Sequence, residues 1–276
     1  MKIYELKYSV SNHYLIEGES GRILFDTGWA GTLPDFCRVM GELQIPVQSV
    51  DYVLISHFHP DHCGIAQEIA DLGPRIAVMD VQEAYIHAAD AVFEKEPQLH
   101  FQPIDDEKVR VVPLQKSREF LQERGIQGEI LSTPGHSDDS ISLCLDSGEI
   151  LVGDLNPLYE LPIHRGTKIA ESWEKLLSLH PKTVYYGHAK KAELADPEAP
   201  SDHEMRSGLA AFGKKTNRYQ LVEKIMKGID RHWSFEKIQK KTGADPGFIE
   251  DVSRMYLTHQ NVGVQGILDR IEIKGK

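Results

Sequence analysis

Apolar positions fall into two regimes along the chain. Short β-rich runs dominate the first part, "HYLIEG", "RILFDTG", "DYVLIS", "RIAVMD", "KVRVVPL", "GEILS", "ISLCLD", "EILVGD" and "TVYYGH", and most of them end in Gly, Asp, His or Pro. Such endings carry turn chemistry, so the runs predict strands. Between some of them apolar residues recur at helical spacing, in "GIAQEIADLG", "VQEAYIHAADAVFEKE" and "ESWEKLLSLH". Strands alternating with helices predict a layered α/β architecture rather than an all-β barrel.

The pattern changes after residue 192. The stretch 193–204, "ELADPEAPSDHE", combines two prolines with acidic and small residues and reads as a linker. Strand signals then vanish. "MRSGLAAFGKKTNRYQLVEKIMKGI", "SFEKIQKKTG" and "DPGFIEDVSRMYLTH" predict helices, with Ser234 and Asp245 as starts and Gly243 as a stop. The expected organisation is a domain over 1–192, a linker over 193–204 and a helical region over 205–276.

Charge sharpens this division. The net charge of −11 splits into 17 Lys+Arg against 34 Asp+Glu over 1–204, and 14 against 8 over 205–276. A basic helical region beside an acidic body suits docking between the two; a nucleic-acid-binding tail is the other use of such a split. The two helix patterns of "SFEKIQKKTGADPGFIEDVSRMYLTH" have helix-turn-helix spacing, but the second carries Asp245, Glu250 and Asp251 against Arg254 alone. A groove-reading helix should not be so acidic. A cap over a substrate pocket is therefore expected, with dimerisation as another use of the helices and no nucleic-acid partner.

At 276 residues and 41% hydrophobic content the chain can bury a sizeable core. Its first twenty residues hold no apolar stretch with basic flank and small-residue cleavage site, and no apolar run reaches about eighteen residues. No membrane partner is expected. Cys37, Cys63 and Cys144 are an odd, sparse set without a CxxC pair, which argues against a disulfide framework and a thiolate zinc finger and fits the cytoplasm.

One short stretch concentrates the chemistry. "HFHPDH" places His57, His59, Asp61 and His62 directly after the apolar run "YVLIS". In extended backbone His57 and His59 point to the same side, so both can grip one metal. Pro60 fixes its own φ and restricts its predecessor, which lets Asp61 and His62 turn toward a second position. Imidazole and carboxylate suit zinc, and also iron or manganese. Two metals need more ligands, and these should also close strands: His136 closes "ILSTPGH", Asp154 closes "EILVGD" and His188 closes "TVYYGH".

HFHPDH, PGHS, GD and GH, in that order after a strand ending in "DTG" at Asp26 to Gly28, resemble the metallo-β-lactamase-fold hydrolase superfamily over roughly residues 1–192. The resemblance implies a four-layer αββα sandwich with metals at one edge, here followed by a C-terminal helical extension. It implies His57, His59 and His136 at a first metal, Asp61, His62 and His188 at a second, Asp154 bridging them, and Asp26 as the carboxylate orienting a histidine ligand. The implied cofactor is a pair of divalent ions, zinc first, with iron or manganese as alternatives.

Two such ions sharing a water lower its pKa from about 15.7 toward about 7, so a bridging hydroxide is the expected nucleophile, with Asp61 orienting it or carrying its proton. The expected reaction is hydrolysis of a small ester-like bond: a thioester, lactone or carboxylic ester. Phosphodiester cleavage is the alternative, and a metal-dependent sensor or nucleic-acid-associated protein the non-enzymatic one. "GHSDDS" adds Asp138 and Asp139 beside His136, as turn formers or as a brace for a ligand, and resembles the thioesterase-like branch of the superfamily. Lactonases of the superfamily place a tyrosine three residues beyond the bridging aspartate, where this chain has Pro157, with Tyr159 two residues later. Tyr159, His164 and Arg165, and Lys215, Arg218 and Tyr219 of the helical region, are the candidate contacts to a small-molecule substrate. His164 otherwise reads as a surface residue and His13 as structural. Cys63 reads as a small packed residue rather than a nucleophile.

Overall fold

The apolar runs fold into two mixed sheets. A computed structural model describes residues 1–194, 217–258 and 263–274 of the chain. Strands β1 (Lys2–Leu6), β2 (His13–Glu17), β3 (Arg22–Phe25), β4 (Tyr52–Leu54), β5 (Arg75–Met79) and β6 (Val109–Val112) lie side by side in that order. The first three are antiparallel and β3 to β6 run parallel. The second sheet holds β7 (Gly128–Ser132), β8 (Ile141–Leu145), β9 (Glu149–Leu151), β10 (Thr183–Tyr185) and β11 (Ala192–Glu193) in the order β11-β10-β9-β8-β7. Within it β9 and β10 run parallel, and the other neighbours are antiparallel.

Parallel neighbours require crossovers, and helices supply them. These are α1 (Leu33–Glu42), α2 (Pro60–Cys63), α3 (Ala66–Asp71), α4 (Asp90–Phe93) and α6 (Lys168–Leu177), while α5 (Ser117–Gln122) leads from β6 to β7 in the second sheet. Alternation along the strands then sets the layers. Leu15, Leu24, Val53, Ile76 and Val78 face Phe36, Val39 and Met40 of α1 and Ile69 of α3. Tyr14, Ile16, Ile23, Phe25, Leu54, Ala77 and Met79 face the other way, onto Ile141, Leu143, Leu145 and Leu151 of the second sheet. Behind that sheet Ile150 and Val184 pack on Trp173 and Leu176 of α6. The result is an αββα sandwich whose central strands are covered on both faces, which is why they read as unbroken apolar runs.

Two expectations need correction here. "VQEAYIHAADAVFEKE" is not one helix but a 3₁₀ turn at Asp80–Tyr85 followed by the single turn of α4. The buried Gln82 holds it there, donating from Nε2 to the carbonyls of Ile55 at 3.0 Å and Asp139 at 3.1 Å. The start of the expected linker is also ordered, since Glu193 pairs with Thr183 as part of edge strand β11. Residues 195–204, with the rest of that linker, and Lys215 lie outside the described residues.

The helical region comprises α7 (Asn217–Asp230), α8 (Phe235–Thr242), α9 (Pro246–Thr258) and α10 (Val264–Lys274). Ser234 caps α8 by accepting from Lys237 N, and Gly243 ends it at φ 69°, a left-handed conformation suited to glycine. Val222, Ile225, Ile238, Ile249, Val252 and Ile267 give these helices a core of their own. Hydrogen bonds tie α10 and its approach to the sandwich, among them Tyr159 Oη to Asp269 Oδ2 at 2.6 Å and Gly263 N to Glu160 Oε1 at 2.9 Å. Among the described residues no helix is long and apolar enough to cross a membrane.

Candidate metal centre

The ligand loop leaves the carboxyl end of β4 where the two sheets meet. Ile141 N, at the start of β8, donates to Ser56 O at 2.9 Å, so the opening residue of the loop is a sheet-to-sheet junction. His59 keeps extended backbone at φ −79°, ψ 152°, and Pro60 begins the single turn of α2, which carries Asp61 and His62 back toward the strand end. The turn after β3 grips α2 from below: Thr27 N and Oγ1 both donate to His62 O, at 2.8 and 3.0 Å.

Seven side chains converge on this edge. His57, His59 and His136 form one group whose ligand atoms lie within 4.8 Å of one another, and Asp61, His62 and His188 form another; His57, His62 and Asp154 form a third triple linking the two. Asp154 is the hub, with Oδ1 3.2 Å from His62 Nε2 and Oδ2 3.5 Å from His136 Nε2 and 3.4 Å from His188 Nε2. His188 Nε2 also lies 2.7 Å from Asp61 Oδ2, and His136 Nε2 lies 3.0 Å from His59 Nδ1.

Glycines beside two of these residues have a steric reason. A Cβ on Gly187 would fall 2.5 Å from Asp154 Oδ1 and 2.9 Å from His62 Cε1. One on Gly153, at φ 54°, would meet Ser56 Oγ at 2.5 Å.

Asp26 orders the buried side. It is 1% exposed, and its carboxylate accepts from Ser56 N at 2.7 Å and Ser56 Oγ at 2.8 Å while facing His62 Nδ1 at 2.8 Å. It does so from φ 65°, a left-handed conformation that aspartate tolerates better than most residues. Asp139 braces the loop rather than a ring, with Oδ2 accepting from Phe58 N, between the two leading histidines, at 2.7 Å. Asp138 instead lies at the surface and pairs with Lys168 Nζ at 2.7 Å, away from the ligands. A carboxylate so exposed gains more from water and lysine than from a closed cluster.

The electrostatics suit a cation. Burial pushes the His57 pKa well down and His136 down to about 4, so both present neutral nitrogens. Burial opposes charge on Asp61 and Asp154, yet the surrounding histidines outweigh it and hold both carboxyls below the usual range. At His62 burial is likewise outweighed, here by Asp154, Asp26 and Asp61, and its pKa is raised. His57 Nε2, His62 Nε2 and Asp154 Oδ1 are buried without a hydrogen-bond partner. Orphaned donors and acceptors are costly in a protein interior, and a divalent ion bound by nitrogen and oxygen would satisfy all three. The residues therefore fit the metals the ligand types suggest.

The candidate substrate contacts divide. Tyr159 points to Asp269, Arg165 is exposed, Arg218 stacks over Phe248 at 5.4 Å, and Tyr219 is half-buried on the same helix. His164, read from sequence as a surface residue, is 4% exposed, because the 3₁₀ segment Leu158–His164 folds inward. His13 is fully buried, bonded to Ser11 Oγ at 2.9 Å and stacked on Tyr8, and burial lowers its pKa to about 3. Cys63 is buried, and burial raises its thiol well above the ordinary value. Sequence reasoning missed Ser56, Gln82 and Arg270. The last lines a narrow cleft with Pro157, Tyr186, His188 and Asp154, and only its place at helical spacing on the last helix could have hinted at it.

Comparison with known proteins agrees with this architecture. The family described as the metallo-beta-lactamase superfamily matches residues 7–188. A beta-lactamase-like protein 2 homolog of Drosophila melanogaster is 30% identical over 66% of this chain and 60% of its own length. An atrochrysone carboxyl ACP thioesterase of Emericella nidulans is 26% identical over 64% of this chain and 51% of its own. The chain thus spans less than two thirds of these curated relatives. A solved metallo-beta-lactamase family protein from Thermus thermophilus matches the fold with a TM-score of 0.53 at 19% identity, over 99% of this chain and 94% of that one. With the αββα layers, the strand-end histidines and the family matched across well over half of its length, the chain belongs to the metallo-β-lactamase superfamily.

Proposed function

We propose that the protein is a cytoplasmic hydrolase dependent on two divalent metal ions, zinc first, which cleaves a small ester-like bond: a thioester, lactone or carboxylic ester. One observation carries the reading. Asp154 stands between two histidine groups with both carboxylate oxygens turned to them, as a residue shared by two ions must. His57, His59 and His136 would hold one ion, Asp61, His62 and His188 the other. Bound there, such ions supply Lewis acidity and make a water nucleophilic at neutral pH.

The chain's own groups do the rest. The surrounding histidines outweigh burial and keep the Asp61 carboxylate ionised, and its side chain is 21% exposed, so solvent reaches it. Its carboxylate would orient the attacking water and take up the proton the water gives up. Asp26 and Asp139 hold the ligand loop on its buried side, so the ligands do not reorganise during turnover. A thioester reading draws support from the Emericella relative, whose name is that of an acyl carrier protein thioesterase. The unpaired Cys37, Cys63 and Cys144 support a reducing compartment.

The test is hydrolysis of a simple acyl thioester beside a bis-aryl phosphodiester, each with and without chelator and with His59→Ala. Chelator-sensitive turnover of the thioester, lost in His59→Ala, is the expected result. Turnover of the phosphodiester alone would replace the ester reading with phosphodiester hydrolysis.

A further inference from the structure

The helical region places one cation at the metal centre. Arg270, on α10, lines the cleft together with Asp154 and His188 and is only 8% exposed. Its Nη1 donates to Gly266 O, one turn back on its own helix, at 3.2 Å. Its Nε is buried without a partner. No carboxylate pairs with it among the described residues. The adjacent Asp269 is engaged elsewhere, accepting from Tyr159 Oη at 2.6 Å and Gln265 Nε2 at 2.9 Å. A buried guanidinium whose charge is unpaired is costly, and a protein gains nothing in stability from such an arrangement.

We propose that Arg270 is a specificity-determining residue that anchors a carboxylate of the substrate while the scissile bond lies over the metal centre. The bond to Gly266 fixes one arm of the guanidinium and leaves the side-on Nε and Nη2 edge for a planar anion, the geometry in which arginine takes a carboxylate with two parallel hydrogen bonds. A carboxylate fits better than a phosphate. Among the residues lining the cleft Arg270 is the one cation, and Asp154 beside it repels a dianion more strongly than a monoanion. The tether from Tyr159 to Asp269 sets the register of α10, and so the position of Arg270 over the cleft. The role deepens the hydrolase reading and rests on it for the position of the scissile bond, though not for the anion itself.

Binding tests the anchor without turnover. The zinc-loaded protein is titrated calorimetrically with malonate, succinate and glutarate, and with the monocarboxylates of equal chain length. The metals take one carboxylate from either series, so only the diacids can reach Arg270 as well. At least one diacid should bind tenfold or more tighter than its monoacid, and Arg270→Gln should abolish that preference at unchanged zinc content. Arg270→Lys keeps the charge but not the fork and should retain a part of it. Equal affinities throughout, a preference that survives Arg270→Gln, or tighter binding of 3-phosphopropionate than of succinate would each overturn the proposal. Stability gives a separate readout. An arginine kept for a ligand is dispensable to the fold, so Arg270→Met should melt at or above the wild-type temperature and lose the upward shift that the preferred diacid gives the wild type. A drop of several degrees would make the residue structural and sink the idea. If no ester is hydrolysed yet the diacid preference holds, the hydrolase reading fails and the anchor stands; hydrolysis of neutral esters without that preference is the reverse case.

Discussion

Asp26 Oδ2 lies 2.8 Å from Nδ1 of His62, with both side chains out of contact with solvent. The pairing fixes which nitrogen of His62 faces the cluster, because the other, Nε2, is turned to Asp154. Asp26 reaches this position from a left-handed backbone conformation at φ 65°, a small local strain kept at the residue that faces the His62 ring.

Asp26→Asn isolates the charge from the backbone. Asparagine tolerates the same left-handed conformation, so the turn survives, but one carboxylate oxygen becomes an amide donor facing His62 or Ser56. Loss of an orienting partner of this kind weakens metal binding by roughly 10- to 100-fold. Competition with a chromophoric chelator measures it, and an affinity within twofold of the wild type would remove Asp26 from the role.

Gly187→Ala should injure the centre without unfolding the sandwich. The new methyl would enter the space of Asp154 Oδ1, 2.5 Å away, and the carboxylate must turn from the histidines it faces. The expected outcome is a metal content reduced by at least one ion per chain, read by elemental analysis, with far-ultraviolet circular dichroism unchanged. Two ions retained in the variant would show that Asp154 adapts and that the glycine serves another purpose.

Metal removal should lower stability as well as abolish activity. The buried atoms His57 Nε2, His62 Nε2 and Asp154 Oδ1 make no hydrogen bond that a cation would have to break, and a ligand that binds the native state alone stabilises it by about 4 kcal/mol at a thousandfold excess over Kd. For a chain of this size that is on the order of 8–16 °C in Tm. Calorimetric scans with zinc and with chelator supply the comparison, and coincident transitions would mean that the cluster holds no ion.

Most of this arrangement was legible before folding, and the exceptions share a cause. Histidines and aspartates that end strands announce themselves, because a strand both gives a periodic signal and fixes where its last side chain goes. The roles of Ser56, Gln82 and Gly187 could not be read, because each rests on a partner far off in sequence: Asp26, Asp139 and Asp154. Asp138 and Asp139 are neighbours in one turn, and only packing decides that Asp139 is buried against Phe58 N while Asp138 pairs with Lys168 in water. Arg270 was missed for the same reason. It sits more than 200 residues from His57, and a helix pattern says which face is apolar, not what that face meets.

Proton release follows from the raised pKa of His62. Asp154, Asp26 and Asp61 together outweigh burial and favour a proton on its ring, and a metal that takes Nε2 must displace it. Metal affinity should therefore rise with pH, by up to tenfold per unit, until the pH passes that raised value. The chelator-treated protein should behave in the opposite sense. A histidine whose folded pKa is raised contributes stability that is fully present below its unfolded value of about 6.5 and is lost as pH rises through the folded one. Calorimetric titration of zinc in buffers of different ionisation enthalpy counts the protons, and a release from His62 is expected that shrinks as pH rises. In Asp26→Asn one of the three supporting charges is gone, so the count should fall and the pH dependence flatten. An identical count in the two proteins would place the released proton on another ligand and leave Asp26 with a purely positional part.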